Sequence, residues 1–166
     1  MKAAIITVST SVAAGRREDL SGRALAERAQ AAGAEVVAQE VVADDRAAIE
    51  QALRRHCTPE NRTAVVLTTG GTGLTPDDVT PEATKAVIDR EVPGIAEALR
   101  TESRKYTPMG MLSREVAGVV GETLIVNFPG NPKAIEQLFS VIAPVLEHAV
   151  ALLAREHGPR EHGPRH

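Results

Sequence analysis

Val65-Val66-Leu67-Thr68-Thr69-Gly70-Gly71-Thr72-Gly73, running on into Leu74-Thr75-Pro76-Asp77-Asp78-Val79-Thr80-Pro81-Glu82, decides how the chain is read. The β-branched and aliphatic run from Val65 to Thr69, bounded by Asn61 and by the glycines, predicts a strand buried on both faces. Its carboxyl end delivers Gly70, Gly71, Thr72 and Gly73, where missing Cβ atoms let backbone N–H groups converge on an anion, phosphate being the natural guest. Asp77 and Asp78 follow at once. Acids beside a phosphate cradle point to a divalent cation that bridges carboxylate and phosphate oxygens. Thr80-Pro81-Glu82 supplies the N-cap, first-position proline and first-turn acid of a helix start. By itself the loop is equally a tight strand-to-helix turn, and its spacing matches neither the dinucleotide fingerprint nor the P-loop.

Working outward, Ala3 to Val8 reads as a first strand, followed by a loop from Ser9 to Asp19. A helix then starts near Asp19, with Leu20, Ala24, Leu25, Ala29 and Ala32 as its apolar stripe and Gly33 placed to end it. Ala34 to Val42 predicts a second strand. Asp44 or Asp45 caps the next helix, whose inner face carries Ala48, Ile49, Ala52 and Leu53. One acid suffices for a cap, and a second at the carboxyl end of a strand leaves room for a chemical role.

Beyond the central loop, helices are expected from Pro81 to about Arg90 and from Ile95 to about Lys105, with Val92-Pro93-Gly94 between them. Glu115 to Val120 and Thr123 to Asn127, separated by Gly121-Glu122, predict an antiparallel hairpin. A second Gly/Pro-rich loop, Asn127-Phe128-Pro129-Gly130-Asn131-Pro132, leads into a long helix ending near Arg155, which Pro144 should kink or break. The expectation is an α/β chain: a three-layer α/β/α sandwich whose mostly parallel sheet carries an antiparallel hairpin. Residues 1–155 form one domain, and 156–166, with Glu-His-Gly-Pro-Arg twice over, form a disordered tail.

The chain has 166 residues, a net charge of −3 and 2% aromatic residues, a poor match to the basic, ring-bearing faces that bind nucleic acid. Small-molecule partners are expected instead. The single cysteine, Cys57, excludes an internal disulfide and reads as an incidental thiol. The apolar run at the N-terminus is too short for a signal peptide or membrane span, so a cytoplasmic protein with no membrane partner is expected.

Leu67 to Thr84, together with Asp89-Arg90-Glu91-Val92-Pro93-Gly94, Met111-Leu112-Ser113-Arg114 and Thr123 to Lys133, resembles the Mog/MoaB family of molybdenum cofactor synthesis, which includes the gephyrin G domain. The resemblance covers roughly Ala3 to Ala154. It implies a molybdopterin adenylyltransferase, which moves AMP from ATP to the terminal phosphate of molybdopterin with Mg²⁺ as cofactor, and it implies a homotrimer. By position, Asp44 and Asp78 resemble the two essential acids, catalytic and metal-holding. Ser113 and Asn127 match positions lining the substrate site. Gly70, Gly71, Thr72 and Gly73 would hold phosphate, and Pro129, Gly130 and Asn131 the opposite wall. The same resemblance admits a MoaB-type paralogue that binds pterin or nucleotide without efficient catalysis. Two departures stand out: Asp77 occupies a place that is often basic in relatives, and Ser9-Thr10 replaces a common Ser-Asp.

Overall fold

The computed structural model describes residues 1–155, so the expected tail lies outside the described residues. Six strands form one sheet: β1 (Lys2–Val8), β2 (Glu35–Val42), β3 (Val65–Thr69), β4 (Arg90–Glu91), β5 (Ala117–Val120) and β6 (Thr123–Phe128). Their order is β2-β1-β3-β6-β5-β4. The four strands from β2 to β6 in that order are mutually parallel, while β5 runs antiparallel to β6 and β4 antiparallel to β5. The helices are α1 (Thr10–Ala13), α2 (Leu20–Ala31), α3 (Arg46–His56), α4 (Thr80–Val87), α5 (Pro93–Ser103) and α6 (Pro132–Leu153).

The strands β3 and β6 are buried at every residue, as a continuous apolar run requires when both faces are covered. Alternate residues of one strand feed opposite cores, because successive side chains point to opposite faces. Ile5, Leu67, Val126 and Phe128 pack with Leu25 of α2, Leu99 of α5 and Ile135 and Leu138 of α6. Ile6, Val66 and Ile125 pack with Ile49 and Leu53 of α3 and with Ala83 and Val87 of α4. The result is the expected three-layer sandwich. The edge strand β2 alternates exposed and half-buried residues, unlike the central strands.

Three local expectations are corrected. The loop after β1 contains the short helix α1, capped by Ser9 Oγ accepting from the Val12 N–H at 3.3 Å. Leu20, expected in the apolar stripe of α2, is 51% exposed. The helix expected from Pro81 to Arg90 stops at Val87. Asp89 N–H and Val92 N–H instead donate to Val119 O and Ala117 O, both at 2.8 Å, so that Arg90 and Glu91 complete the sheet edge as β4. A distant strand offering free carbonyls outcompetes helix continuation there. Helix α6 runs unbroken through Pro144, whose ring lies on the exposed side. The expected hairpin is present, with Val120 facing Thr123 and Gly121 at φ +54°.

All four parallel strands release their loops at one end of the sheet, and β1 lies between β2 and β3, where the winding direction reverses. Crevices at such a reversal are where open α/β sheets bind ligands. The antiparallel β5 starts at that same end, which brings Ser113 and Arg114 to the loops of β3 and β6.

Candidate functional site

The glycine loop is held in a conformation only glycine tolerates well. Gly70 and Gly71 have φ of +98° and +69°. A Cβ on Gly70 would lie 2.3 Å from Val8 O, and one on Gly71 would lie 2.3 Å from Thr80 Oγ1. Thr80 Oγ1 donates to Gly70 O at 2.9 Å and Thr80 N–H to Gly71 O at 3.1 Å, tying the loop to the start of α4. Opposite it, a Cβ on Gly130 would approach Gly70 Cα to 3.2 Å, and Thr69 Oγ1 donates to Pro129 O at 2.8 Å. The two loops expected to face one pocket are in direct contact.

Gly70 N–H donates to Phe128 O at 3.1 Å, which withdraws it from the anion cradle. Among the described residues, no acceptor engages the N–H of Gly71, Thr72 or Gly73. Those three groups remain available to phosphate.

Two clefts share this glycine ridge. One, about 390 Å³, is lined by Thr72, Gly73, Asp78, Leu112 and Ser113 besides the glycines. The other, about 250 Å³, is lined by Ser9, Val12, Arg17, Glu18 and Leu20. Gly70, Gly71 and Gly130 border both.

Asp78 Oδ2 accepts from Thr75 N–H at 3.0 Å and Thr75 Oγ1 at 2.8 Å, while Asp78 N–H donates back to Thr75 O at 3.0 Å. This turn fixes the carboxylate over Gly73, where a Cβ would come within 2.8 Å of it. Asp78 Oδ1 accepts no hydrogen bond among the described residues. Asp44 and Asp45 divide the two roles open in the sequence. Asp45 caps α3, accepting from Ala48 N–H at 2.8 Å. Asp44 Oδ2 accepts from Thr10 N–H at 2.9 Å and Thr10 Oγ1 at 3.0 Å, and Asp44 N–H donates to Thr10 Oγ1 at 3.0 Å. Asp44 borders neither cleft; it meets the site through Thr10, whose neighbour Ser9 lines the smaller one.

The sequence from residue 4 to residue 148 matches a family model described as "Probable molybdopterin binding domain". The chain belongs to the Mog/MoaB family of molybdopterin-binding proteins. A molybdopterin adenylyltransferase of Helicobacter pylori is 38% identical over 151 residues, covering 90% of this chain and 85% of that protein. Among solved structures, the molybdopterin biosynthesis enzyme MoaB of Thermus thermophilus superposes with a TM-score of 0.85 at 44% identity, over 92% of this chain and 95% of that one. The Mog protein of Mycobacterium ulcerans does so with a TM-score of 0.85 at 39% identity, over 92% and 99%.

In this Mog/MoaB chain two of the expected substrate contacts make structural hydrogen bonds of their own. Asn127 is fully buried; its Nδ2 donates to Thr68 Oγ1 at 2.9 Å and Thr84 Oγ1 at 3.1 Å, and its Oδ1 accepts from Val116 N–H at 3.1 Å. With both amide hydrogens engaged inside the protein, it joins β3, β6, α4 and the start of β5 and has no donor left for a ligand. Asn131 Oδ1 caps α6 by accepting from Lys133 N–H at 2.9 Å. Ser113, by contrast, lines the larger cleft and its buried Oγ has no partner among the described residues.

Arg114 is the residue of the candidate site that sequence reasoning missed. Its N–H donates to Thr72 O at 2.8 Å, Nε to Gly73 O at 2.8 Å and Nη2 to Asp78 O at 2.7 Å, while Nη1 meets Glu82. The guanidinium thus ties together Gly73, Asp78 and Glu82, and the main-chain N–H adds Thr72. The Arg114 hydrogen bond also holds the Glu82 carboxyl below its usual range. The available signal was the Ser-Arg pair itself, but only the fold shows which carbonyls the arginine meets.

Mg²⁺ fits this donor set. Among the described residues no cluster of three or more His, Cys, Asp or Glu is placed to cage a metal. Mg²⁺ ordinarily takes one or two carboxylates and completes its shell with water and substrate phosphates, so Asp78 Oδ1 beside an anion cradle matches its needs.

Glu115 follows the site motif and is 2% exposed. Burial pushes its carboxyl up from 4.5 to about 7, against a smaller opposing pull from Arg100. A raised carboxyl pKa means the folded state holds a proton the unfolded chain has lost, so stability is highest below 4.5, falls through the interval and is fully reduced above about 7. Urea unfolding at pH 4.5 and pH 8 should show the wild type losing about 3 kcal/mol relative to Glu115→Gln across that interval. Parallel pH profiles for the two proteins would contradict this.

Proposed function

We propose that this chain is a molybdopterin adenylyltransferase of molybdenum cofactor biosynthesis, transferring AMP from ATP to the terminal phosphate of molybdopterin. The observation that carries the reading is the pair of clefts sharing one glycine ridge, with Asp78 on that ridge's edge. Two anionic substrates that must meet at one phosphorus need such a shared anion-holding wall. The reading as an enzyme also draws support from the Helicobacter pylori adenylyltransferase, 38% identical over most of this chain.

In the reaction a terminal phosphate oxygen of the pterin substrate attacks the α-phosphorus of ATP. The bond to the bridging oxygen breaks and pyrophosphate leaves with the electron pair. No protein nucleophile is required, so the chain's task is positioning and charge neutralisation. The free N–H groups of Gly71, Thr72 and Gly73 hold phosphate oxygens in line. Arg114 keeps those N–H groups aimed by binding the loop carbonyls. Mg²⁺, held by Asp78 with Asp44 in support, would neutralise charge on the phosphates. ATP and Mg²⁺ therefore accompany molybdopterin as partners, and the reading includes a cytoplasmic homotrimer.

The test is pyrophosphate release on mixing protein, ATP, Mg²⁺ and molybdopterin, followed together with the adenylated pterin. Release that requires the pterin supports the transferase. Exposed Asp77, which adds negative charge next to Asp78, favours a second reading: a paralogue that binds without efficient transfer. Pterin binding without pyrophosphate would select it, and Asp77→Arg should then restore release.

Thr10→Val removes the hydroxyl that both donates to and accepts from Asp44. It is expected to lower kcat/KM about tenfold, the cost of one or two misplaced hydrogen bonds to a charged group, while Thr10→Ser stays near wild type. Equal loss in both variants would separate Asp44 from the chemistry.

A further inference from the structure

The turn between α1 and α2 carries three adjacent charges, Arg16, Arg17 and Glu18. Its backbone is pinned on both sides. Arg16 N–H donates to Ser11 O at 2.9 Å, while the Asp19 carboxylate accepts from Gly22 N–H and from Thr7 Oγ1, both at 2.9 Å. Thr7 is a buried residue of β1, so the turn is tied to the sheet as well as to α2. Arg17 and Glu18 both line the smaller cleft on the glycine ridge, and Arg16 does not.

Among the described residues, Arg17 and Glu18 are the charged groups lining that cleft. Glu18 Oε1 accepts from Arg23 Nη2 at 2.7 Å, whereas Arg17 enters no salt bridge among the described residues. The cleft therefore holds an unpaired guanidinium together with Gly70, Gly71 and Gly130. In the larger cleft the charged residue is Asp78. The glycine ridge thus separates a positive cleft from a negative one. Such a division sorts the parts of a metal-bound polyphosphate, with the cation on the Asp78 side and phosphate oxygens on the Arg17 side. The planar fork of a guanidinium suits those oxygens, because two of its N–H groups meet two oxygens at once.

We propose that Arg17 binds the departing end of ATP, the β- and γ-phosphates, and so makes this cleft select a nucleoside triphosphate over a monophosphate. The assignment rests on the transferase reading above and adds a residue to it. As the pterin phosphate oxygen bonds to the α-phosphorus, the bond from that phosphorus to the bridging oxygen breaks and both its electrons leave on pyrophosphate. Negative charge grows on the group that Arg17 holds. No proton changes hands there, since the guanidinium stays protonated throughout. Arg17 also offsets the charge that Asp77 adds beside Asp78.

The test is calorimetric titration of the full chain with ATP, AMP and inorganic pyrophosphate, each with Mg²⁺ and without pterin, so that no transfer takes place. Arg17→Ala is expected to weaken ATP and pyrophosphate by about thirtyfold, the scale of a lost charge-assisted hydrogen-bond pair, and to leave AMP unchanged. Arg17→Lys should recover part of the loss, because it returns the charge without the fork. Arg16→Ala, outside the cleft, should bind all three as wild type does. Equal weakening of ATP and AMP would make Arg17 a support for the shape of the turn and overturn the assignment. So would unchanged ATP affinity in Arg17→Ala, or a wild type that binds ATP no better than AMP. Pyrophosphate release in the presence of pterin reads the other question. Its absence with the ATP preference intact sinks only the transferase, and its presence without an Arg17-dependent preference sinks only the role of Arg17.

Discussion

Asp78→Asn is expected to lower adenylyl transfer by about a thousandfold or more, the scale seen when a preorganised charge-stabilising group is lost. Thr75 N–H and Thr75 Oγ1 both donate to Asp78 Oδ2, and an asparagine carbonyl oxygen accepts those bonds equally well. The turn and the loop should therefore keep their shape, with stability changed by less than about 1 kcal/mol. What asparagine cannot supply is the negative charge at Oδ1, where an amide would present hydrogens to a cation. Single-turnover transfer and urea unfolding measured on the same preparation decide the matter. Turnover within tenfold of wild type would remove Asp78 from the chemistry, and no other carboxylate lines the cleft to replace it.

Gly70→Ala is expected to destabilise the protein by about 4 kcal/mol, adding left-handed strain to a backbone clash. The position has φ of +98°, and the new Cβ would stand 2.3 Å from Val8 O. Val8 ends β1, and its carbonyl cannot move without shifting a strand buried at every residue after Lys2. Gly70, Gly71 and Gly130 border both clefts, so the displacement would disturb both at once. Gly15→Ala provides the comparison, because its φ of +72° carries similar strain but a Cβ there meets nothing within 4 Å. The difference between the two melting curves isolates the clash. Equal destabilisation would mean that the loop yields and that the close packing of the glycine ridge is not what holds the site.

Sequence alone determined the layers and singled out the loops that line the candidate site. Apolar runs in β3 and β6 identified doubly buried strands, helical periodicity identified the covering layers, and Gly70 to Asp78 marked a candidate anion site at the end of β3. Each of these signals is local: a strand's burial or a glycine's freedom is written in neighbouring residues. Where the expectation failed, the competing partner was distant in sequence. The stop of α4 at Val87 depends on β5 carbonyls some 30 residues on.

The division of labour between Asp44 and Asp45 shows the same limit. Both fit a helix cap by sequence, and only the position of Thr10, 34 residues before Asp44, assigns them. Asn127 was legible as important but not as a brace, because Thr68, Thr84 and Val116 reach it from three other segments. Arg114 and Glu115, adjacent and ordinary as sequence, differ by what folding brings to them: a set of loop carbonyls for one and no donor for the other. Propensity and pattern set which elements form, whereas hydrogen-bond satisfaction between distant segments sets what each polar side chain is left free to do.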